Sequence, residues 1–401
     1  MRVCFIAGEY PPLVGGLGDY TWWLTRALKE LGVESIVVTS TRAAGGHFPE
    51  AMPVVRHWGW PSWGQVVGVA KNWKADVVHL QYQAAAYAMH PATNLFPYWL
   101  RRHQIPTVTT FHDLRVPYLF PKAGPLRLWA IRLLAKGSRG VVVTNDRDWR
   151  TITAWGFGGD GTVARGPVAC LVPIGSNIPS SPPPGFQRQA WRARWGIAPS
   201  DLVVGYFGLL NNSKGVDTLL LALAELLPSR PNLKLAMVGG GVGDSDPTNG
   251  EYQAQILGLV ERLGLRLRLI WTGYAPPQEV SAHLLACDLC VLPFRDGASF
   301  SRGSLMSALV HGLPLVTTRP LGADHPLGTA SLLPPLVHGE NCLLVPPDAP
   351  HFLAESMALA MDSPELRERL GRGARVLAQA FSWPDIARKN LHLYEKVLER
   401  G

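Results

Sequence analysis

Three glycines, Gly15, Gly16 and Gly18, interrupt GEYPPLVGGLGDYTWWLTRAL (Gly8–Leu28), between a short apolar run and a pattern that predicts a helix starting near Asp19. Glycine lets backbone approach a ligand closely, and a helix N-terminus offers unpaired N–H groups and partial positive charge to an anion. Phosphate or diphosphate suits that chemistry; a plain tight turn is the alternative. The second half opens in parallel with VVGYFGLLNNSKGVDTLLLALAELL, where a strand ends at Gly208 and Lys214-Gly215 lead into a helix. Lys214 could set a cation beside a phosphate there, or be a surface lysine. The order Lys-Gly does not match a Walker A loop, and neither GxGxxG nor an acid after the second strand SIVVTS is present. ATPase and nicotinamide chemistry are therefore disfavoured.

TVTTFHDLRVP places His112 and Asp113 at the carboxyl end of a strand, the edge where open α/β sheets bind ligands. A histidine there can hydrogen-bond a sugar hydroxyl or phosphate, or act as acid and base. His79, in DVVHLQYQ, is similarly placed, with a structural role as the alternative. Asp146-Arg-Asp148 and Asp244-Ser-Asp246 are DxD pairs that could hold a hard divalent metal, but such pairs are common in polar loops, and no metal is expected. Cys287 and Cys290 form a CxxC inside the apolar stretch HLLACDLCVLPF, with no second pair to complete a zinc site. Buried structural thiols are the reading.

The elements that must position these residues follow one pattern: a short apolar run, a Gly/Pro/Asn turn, then a helix-length amphipathic segment. Strands are expected at Val3–Ala7, Ser35–Thr39, Asp76–Leu80, Thr107–Phe111 and Gly140–Asn145. Further strands are expected at Leu202–Phe207, Lys234–Val238, Leu267–Thr272, Leu289–Pro293 and Leu315–Thr318. β-Branched runs alternating with helices imply parallel sheets covered on both faces. IPSSPPPGF (Ile178–Phe186), with four prolines and no charge, reads as an extended linker between two α/β domains. The expected domains are 1–177, with about 383–401, and 178–382, and the cleft between them would face the carboxyl ends of both sheets.

The chain has 401 residues, 47% apolar and 17% charged, which is globular rather than disordered. Its net charge of +8 is lopsided: residues 1–177 hold 18 basic and 10 acidic side chains, and residues 178–401 hold 20 of each. Five scattered cysteines make no disulfide framework, and the N-terminal apolar run is too short for a signal peptide. Val77–Leu100 lacks Asp, Glu, Lys and Arg but is broken by His79, His90, Pro91 and Pro97, too polar for a membrane span. A soluble, cytoplasmic chain is expected.

Taken together, PPLVGGLGD, TFHD, VPIGSN, FGLLNNSKGVDTLL, MVGGG, WTGY, SALVHGLPLVTT and the closing FSWPDIARKNLHLYEKVL resemble the retaining glycosyltransferases of GT-B architecture in the large family 4 group. The motifs span nearly the whole chain in the family's order. The resemblance implies two Rossmann-like domains facing each other across a cleft, with the C-terminal helix returning to the first. It implies a nucleotide-diphosphate sugar bound mainly to the second domain, an acceptor on the first, and neither metal nor cofactor. Carried over by motif, Gly15 and Gly16 would approach the diphosphate or sugar, Gly208 would border the donor, and Lys214 would neutralise the diphosphate. His112, with Asp113 beside it, would contact the sugar, and Tyr274, after the WTG turn, would neighbour the base.

The departures from the family pattern are specific. Leu209 stands where the family usually carries an arginine, and Ser299 and Ser307 stand where it carries two glutamates. Serine hydrogen-bonds neutrally and with a shorter reach. Arg302, at a helix start in SFSRGSL, is placed to replace the missing arginine, and Asp296 to stand in for the first acid. An active hexose transferase is the leading reading; a degenerate nucleotide-sugar or glycan binder and a sugar-nucleotide epimerase are the alternatives. For the acceptor, a glycan or lipid-linked molecule is expected. Arg115–Arg139 carries six basic side chains and no acid, interleaved with Tyr118, Phe120, Trp129 and Leu133, which suits peripheral contact with an anionic membrane face or simply a solvated basic face. Nucleic acid is not expected, for want of a recognition motif. Trp58, Trp60, Trp63 and Trp73 could stack on sugar rings or pack a core.

Overall fold

The computed structural model describes all residues except 14, 115–123, 159–165, 240, 242–247, 322–331 and 401. The chain forms two compact units, Met1–Gly175 with Ser382–Gly401, and Ser176–Phe381. Among the described residues the first unit holds β1 (Arg2–Ala7), β2 (Glu34–Ser40), β3 (Ala51–Val55), β4 (Val77–Tyr82), β5 (Thr107–Phe111), β6 (Gly140–Val143) and β7 (Val168–Leu171). They form one parallel sheet in the order β3-β2-β1-β4-β5-β6-β7. The second unit holds β8 (Leu202–Gly208), β9 (Leu233–Gly239), β10 (Leu269–Gly273), β11 (Leu289–Leu292), β12 (Leu315–Thr318) and β13 (Leu343–Val345). Their order, β10-β9-β8-β11-β12-β13, is again wholly parallel. Both are doubly wound sheets whose strand order reverses beside the first strand, at β1/β4 and β8/β11, and such switch points open a crevice at the carboxyl ends.

The ten strands expected from apolar runs are all present. The three unexpected ones, β3, β7 and β13, are sheet edges. β3 is only partly buried and contains Pro53, and β13 is three residues long. An edge strand need not be apolar on both faces and tolerates proline, so its run is short or mixed. The central strands β4, β5 and β11 are buried at every position. That double burial is what made them legible.

Two details of the first unit bear on the site. The helix after β1 spans Gly16–Lys29, starting three residues before Asp19. The closing helix, Trp383–Glu399, is capped by Ser382, whose hydroxyl accepts the Asp385 N–H at 3.3 Å. It buries Ile386, Ala387, Leu393, Tyr394 and Val397 in the apolar cluster formed with Val3, Phe5, Leu24 and Val142. Within that core the Tyr394 hydroxyl meets His79 Nδ1 at 2.6 Å, and Thr110 Oγ1 meets His79 Nε2 at 2.7 Å. His79 is fully buried, and burial pushes it down to about 3, so it is a neutral core residue with both ring nitrogens satisfied.

Candidate functional site

The second unit brings its charged residues together at the β8/β11 switch point. β8 ends at Gly208, and the chain then turns through Asn212–Lys214 to Gly215, which caps the helix Val216–Leu226. Gly215 has φ +64°, and a Cβ there would stand 2.1 Å from the Pro293 carbonyl oxygen at the end of β11. Only glycine permits both that conformation and that approach. Arg295 fixes the same turn from the other side: its N–H donates to the Ser213 carbonyl at 3.0 Å, and its guanidinium pairs with Asp217 and, at 2.8 Å, with Asp348. Lys214 is therefore held, not free on the surface.

Lys214 Nζ donates to Ser304 Oγ at 3.2 Å and lies 5.0 Å from the centroid of the Phe294 ring. Arg302, the N-cap of the helix Gly303–Val310, lies 5.3 Å from the same centroid. Arg302 pairs with Asp296 and donates to Ser213 Oγ at 3.3 Å. Two cations thus meet at one buried aromatic ring and one helix start, with Asp296 paired to Arg302 as counter-ion. Burial first, then the Arg302 charge, pushes Lys214 down to about 7, with Asp296 opposing. An anion bound beside both cations would reverse that shift.

The other residues singled out on the second unit differ in placement. Gly208 ends its strand at φ +139°, with a would-be Cβ 3.8 Å from Lys214 Nζ, so it borders the cluster. Ser299 is half-buried, and its hydroxyl meets Ser301 Oγ at 2.9 Å. Ser307 is buried, its hydroxyl donating to the Gly303 carbonyl at 3.0 Å and meeting Ser176 Oγ at 3.1 Å. Asp296 is engaged by Arg302, so its carboxylate serves the cation pair directly. Tyr274 is 81% exposed, after β10, two strands away from β8. Leu209 is exposed beside the turn.

In the first unit, His112 follows β5 and is half-buried; its Nε2 donates to Gln81 Oε1 at 2.9 Å and its ring meets Tyr20 edge-on at 4.7 Å. Tyr20 in turn packs against Trp383, 5.3 Å between centroids, so the closing helix helps to fix His112. Burial pushes His112 down to about 4. At neutral pH it is an uncharged ring with Nδ1 left as acceptor, suited to hydrogen bonding rather than to carrying charge. Asp113 is exposed.

The glycine loop holds a residue that the sequence reading passed over. Glu9, two residues past the end of β1, accepts the Leu17 N–H at 3.3 Å, and a Cβ on Gly15 would lie 2.1 Å from its Oε1. The helix start expected to receive a phosphate is thus occupied by the chain's own carboxylate, while Gly16 faces open space. That carboxylate takes part in the early start of the helix. Burial raises Glu9, and burial with the Glu9 charge pushes Asp19 up to about 6. The signal was an acid between strand and glycines in GEYPP, overlooked because glycine was read only as space.

Of the DxD pairs, Asp148 is buried as a helix-cap partner of Asn145, whose side chain accepts the Asp148 N–H at 2.9 Å. Asp244 and Asp246 lie outside the described residues, as do Gly240 of MVGGG and residues 115–123 of the basic stretch. Among the described residues no group of three or more His, Cys, Asp or Glu could hold a metal. Cys287 and Cys290 are buried free thiols. Trp58, Trp63 and Trp73 pack on the core, whereas Trp60 is 49% exposed. Leu128, Trp129, Arg132 and Lys136 are exposed on the helix Gly124–Gly137. Among the described residues no helix is long and apolar enough to cross a membrane.

The sequence profile of glycosyl transferases group 1 matches residues 187–377, and that of the glycosyl transferase 4-like domain matches residues 15–165. A D-inositol 3-phosphate glycosyltransferase of Corynebacterium glutamicum is 31% identical over 54% of this chain and 49% of its own length. The chain's match thus spans about half the length of that relative. A D-inositol 3-phosphate glycosyltransferase of Jonesia denitrificans is 26% identical over 95% of this chain and 91% of its own. Among solved structures, sucrose-phosphate synthase from Thermosynechococcus elongatus superposes with TM-score 0.74 at 20% identity over 100% of both chains. Anabaena HepE in complex with UDP and glucose superposes with TM-score 0.74 at 20% identity over 98% of both. These likenesses show the fold.

The depressed Lys214 carries a stability consequence. Its folded pKa of about 7 lies below its ordinary value of 10.5, so the unfolded chain binds more protons between those limits. Stability from this group therefore rises with pH from 7 to 10.5, and the cost is full below 7. Lys214→Met is expected to melt higher than the wild type at pH 6.5, with the difference shrinking as pH approaches 10. A thermal melt showing no gain at pH 6.5 would mean that Lys214 is not under strain.

Proposed function

Because the chain belongs to the group 1, family 4-like glycosyltransferases of GT-B architecture, we propose that it moves a hexose-type sugar from a nucleotide-diphosphate sugar to a glycan or lipid-linked acceptor, with retained anomeric configuration and without a metal. The observation that carries this reading is the Lys214–Arg302 pair at the helix start beside Ser304. Charge develops on the leaving diphosphate in such a transfer, and fixed cations in a half-buried site stabilise it without reorganising. Arg302 supplies the charge that Leu209 does not, from a different element but onto the same place.

In this reading the second unit holds the donor. Lys214, recharged by the diphosphate, and Arg302 grip the phosphates, the N–H groups that open the Gly303–Val310 helix face the anion, and Ser299 offers a hydroxyl to the sugar. Ser307, buried with its hydroxyl committed, supports the helix that carries Arg302. His112, neutral and fixed by Gln81 and Tyr20, accepts a hydrogen bond from a sugar hydroxyl. The leaving phosphate takes the acceptor's proton as the new glycosidic bond forms on the face the phosphate leaves. UDP and glucose in the HepE structure favour a UDP-sugar as the first donor to try.

For the acceptor, the +8 charge confined to the first 177 residues, together with the exposed Leu128, Trp129, Arg132 and Lys136, supports a lipid-linked molecule reached at an anionic membrane face.

Lys214→Ala and Arg302→Ala should each weaken binding of UDP-sugar or UDP by tenfold or more, by calorimetry on the full chain. Proton NMR of the product should show the donor's anomeric configuration, with turnover unchanged by a chelator. Wild-type donor affinity in Arg302→Ala would remove Arg302 from the site, and inverted product would overturn the mechanism. The membrane reading predicts sedimentation with vesicles containing anionic phosphatidylglycerol at low salt, lost at high salt; no sedimentation at low salt would leave a soluble glycan as the acceptor.

A further inference from the structure

The second unit carries another cationic concavity, at the opposite end of its sheet from the site above. A cavity of about 320 Å³ opens among Arg188, Cys287, Asp288, Gly312, Arg367 and Arg375, with Leu285, Leu313 and Pro314 as its apolar wall. Cys287-Asp288 immediately precede β11, and Gly312–Pro314 immediately precede β12, so the cavity lies at the amino ends of these strands. Its volume is within the range of small-molecule pockets.

The charges around it do not cancel. Asp288 is shared by Arg188, at 2.5 Å, and Arg192. Glu368 is taken by Arg372, one turn along its helix, at 3.0 Å. Arg367 spends one nitrogen on the Ala360 and Met361 carbonyls, at 2.7 and 2.5 Å, and so meets no carboxylate there. Arg375 lies against Gly312, where a Cβ would stand 2.4 Å from its Nη1, and makes no ion pair among the described residues. Among the described residues Arg367 and Arg375 thus meet no carboxylate, and Arg188 shares Asp288 with Arg192, so positive charge is in excess around one small cavity in a half of the chain that holds 20 basic and 20 acidic residues overall.

The cavity is also stiffly built. A Cβ on Gly371 would stand 2.5 Å from the Gly312 carbonyl oxygen, and one on Gly373 would stand 2.2 Å from that of Glu340. The helix Pro364–Ala378 is thereby pressed against the segment before β12, so Arg367 and Arg375 are presented from a fixed surface rather than a loop. Arginine forks suit the oxygens of a phosphate, and a preorganised fork loses little entropy on binding. Leu285, Leu313 and Pro314 provide an apolar seat for the rest of a ligand.

We propose that this cavity is a second anion site, for a small phosphate monoester with a partly apolar body, separate from the donor diphosphate site. Arg375 and the free nitrogens of Arg188 and Arg367 would grip the phosphate. The body would rest on Leu313 and Pro314.

The test uses inorganic phosphate and phenyl phosphate as probes, with phenol as the uncharged control, measured by calorimetry on the full chain. Phosphate could also bind at Lys214 and Arg302, so binding is measured in the wild type and in a Lys214→Met/Arg302→Gln background. Phenyl phosphate binding is expected to persist in that background, to exceed binding of inorganic phosphate, and to weaken about tenfold in Arg375→Gln, the scale of one lost charge-assisted hydrogen bond. Arg369→Gln, which removes a neighbouring exposed charge outside the lining, should leave it unchanged; equal weakening in both variants would mean non-specific attraction and overturn the site. Loss of all phosphate binding in the double-variant background would assign the anion to the donor cluster alone. That result would reject the second site while leaving the proposed function standing.

Discussion

Two cations sharing one aromatic ring at the end of a buried sheet are an unfavourable arrangement, and the second unit is organised around making it tolerable. Asp296 neutralises one charge, Ser304 and Ser213 accept hydrogen bonds from Lys214 and Arg302, and Phe294 offers its π-face as a weak partner to both. What remains uncompensated appears as the depressed Lys214. Groups held away from their preferred charge state cluster where a ligand completes them, and in the proposed function a diphosphate would supply the missing negative charge.

The scaffold around this pair is correspondingly rigid. Gly215 lets the turn lie on the Pro293 carbonyl, Arg295 ties it to Asp217 and Asp348, and the Gly303–Val310 helix starts at the cation itself. The first unit uses the same device on neutral groups. His112 is aimed by Gln81 on one side and by the Tyr20–Trp383 packing on the other, and the closing helix that brings Trp383 is buried through Tyr394 against His79. A twenty-residue segment from the far end of the sequence, Ser382–Gly401, thereby supports a ring at the end of β5.

Much of this was legible in the chain because parallel sheets write themselves plainly. A doubly buried strand such as β11 (LCVL) has no polar face to disguise it, whereas β3, β7 and β13 lie at edges where the burial constraint lapses. That Lys214 and Arg302 sit at helix starts could be read locally, whereas their link to a diphosphate rested on the family resemblance. Phe294, Ser304 and Arg295 could not be assigned to the site in the same way. Their roles depend on β11 lying beside β8, a pairing of segments some ninety residues apart that no local pattern announces. Glu9 was missed for the opposite reason: it is local, but a carboxylate filling its own helix end looks in sequence like any loop acid. Of the glycines there, Gly15 lies against Glu9, whereas Gly16 faces open space.

In the proposed function Lys214, depressed by burial in the free chain, is recharged by the diphosphate. Proton uptake on binding UDP reports this directly, from calorimetry at pH 8 in buffers of different ionisation enthalpy. With Lys214 at about 7 before binding and raised by the anion, uptake approaching one proton per UDP is expected in the wild type, and it should disappear in Lys214→Met. Binding of UDP with no net proton uptake, or with the same uptake in Lys214→Met, would contradict it.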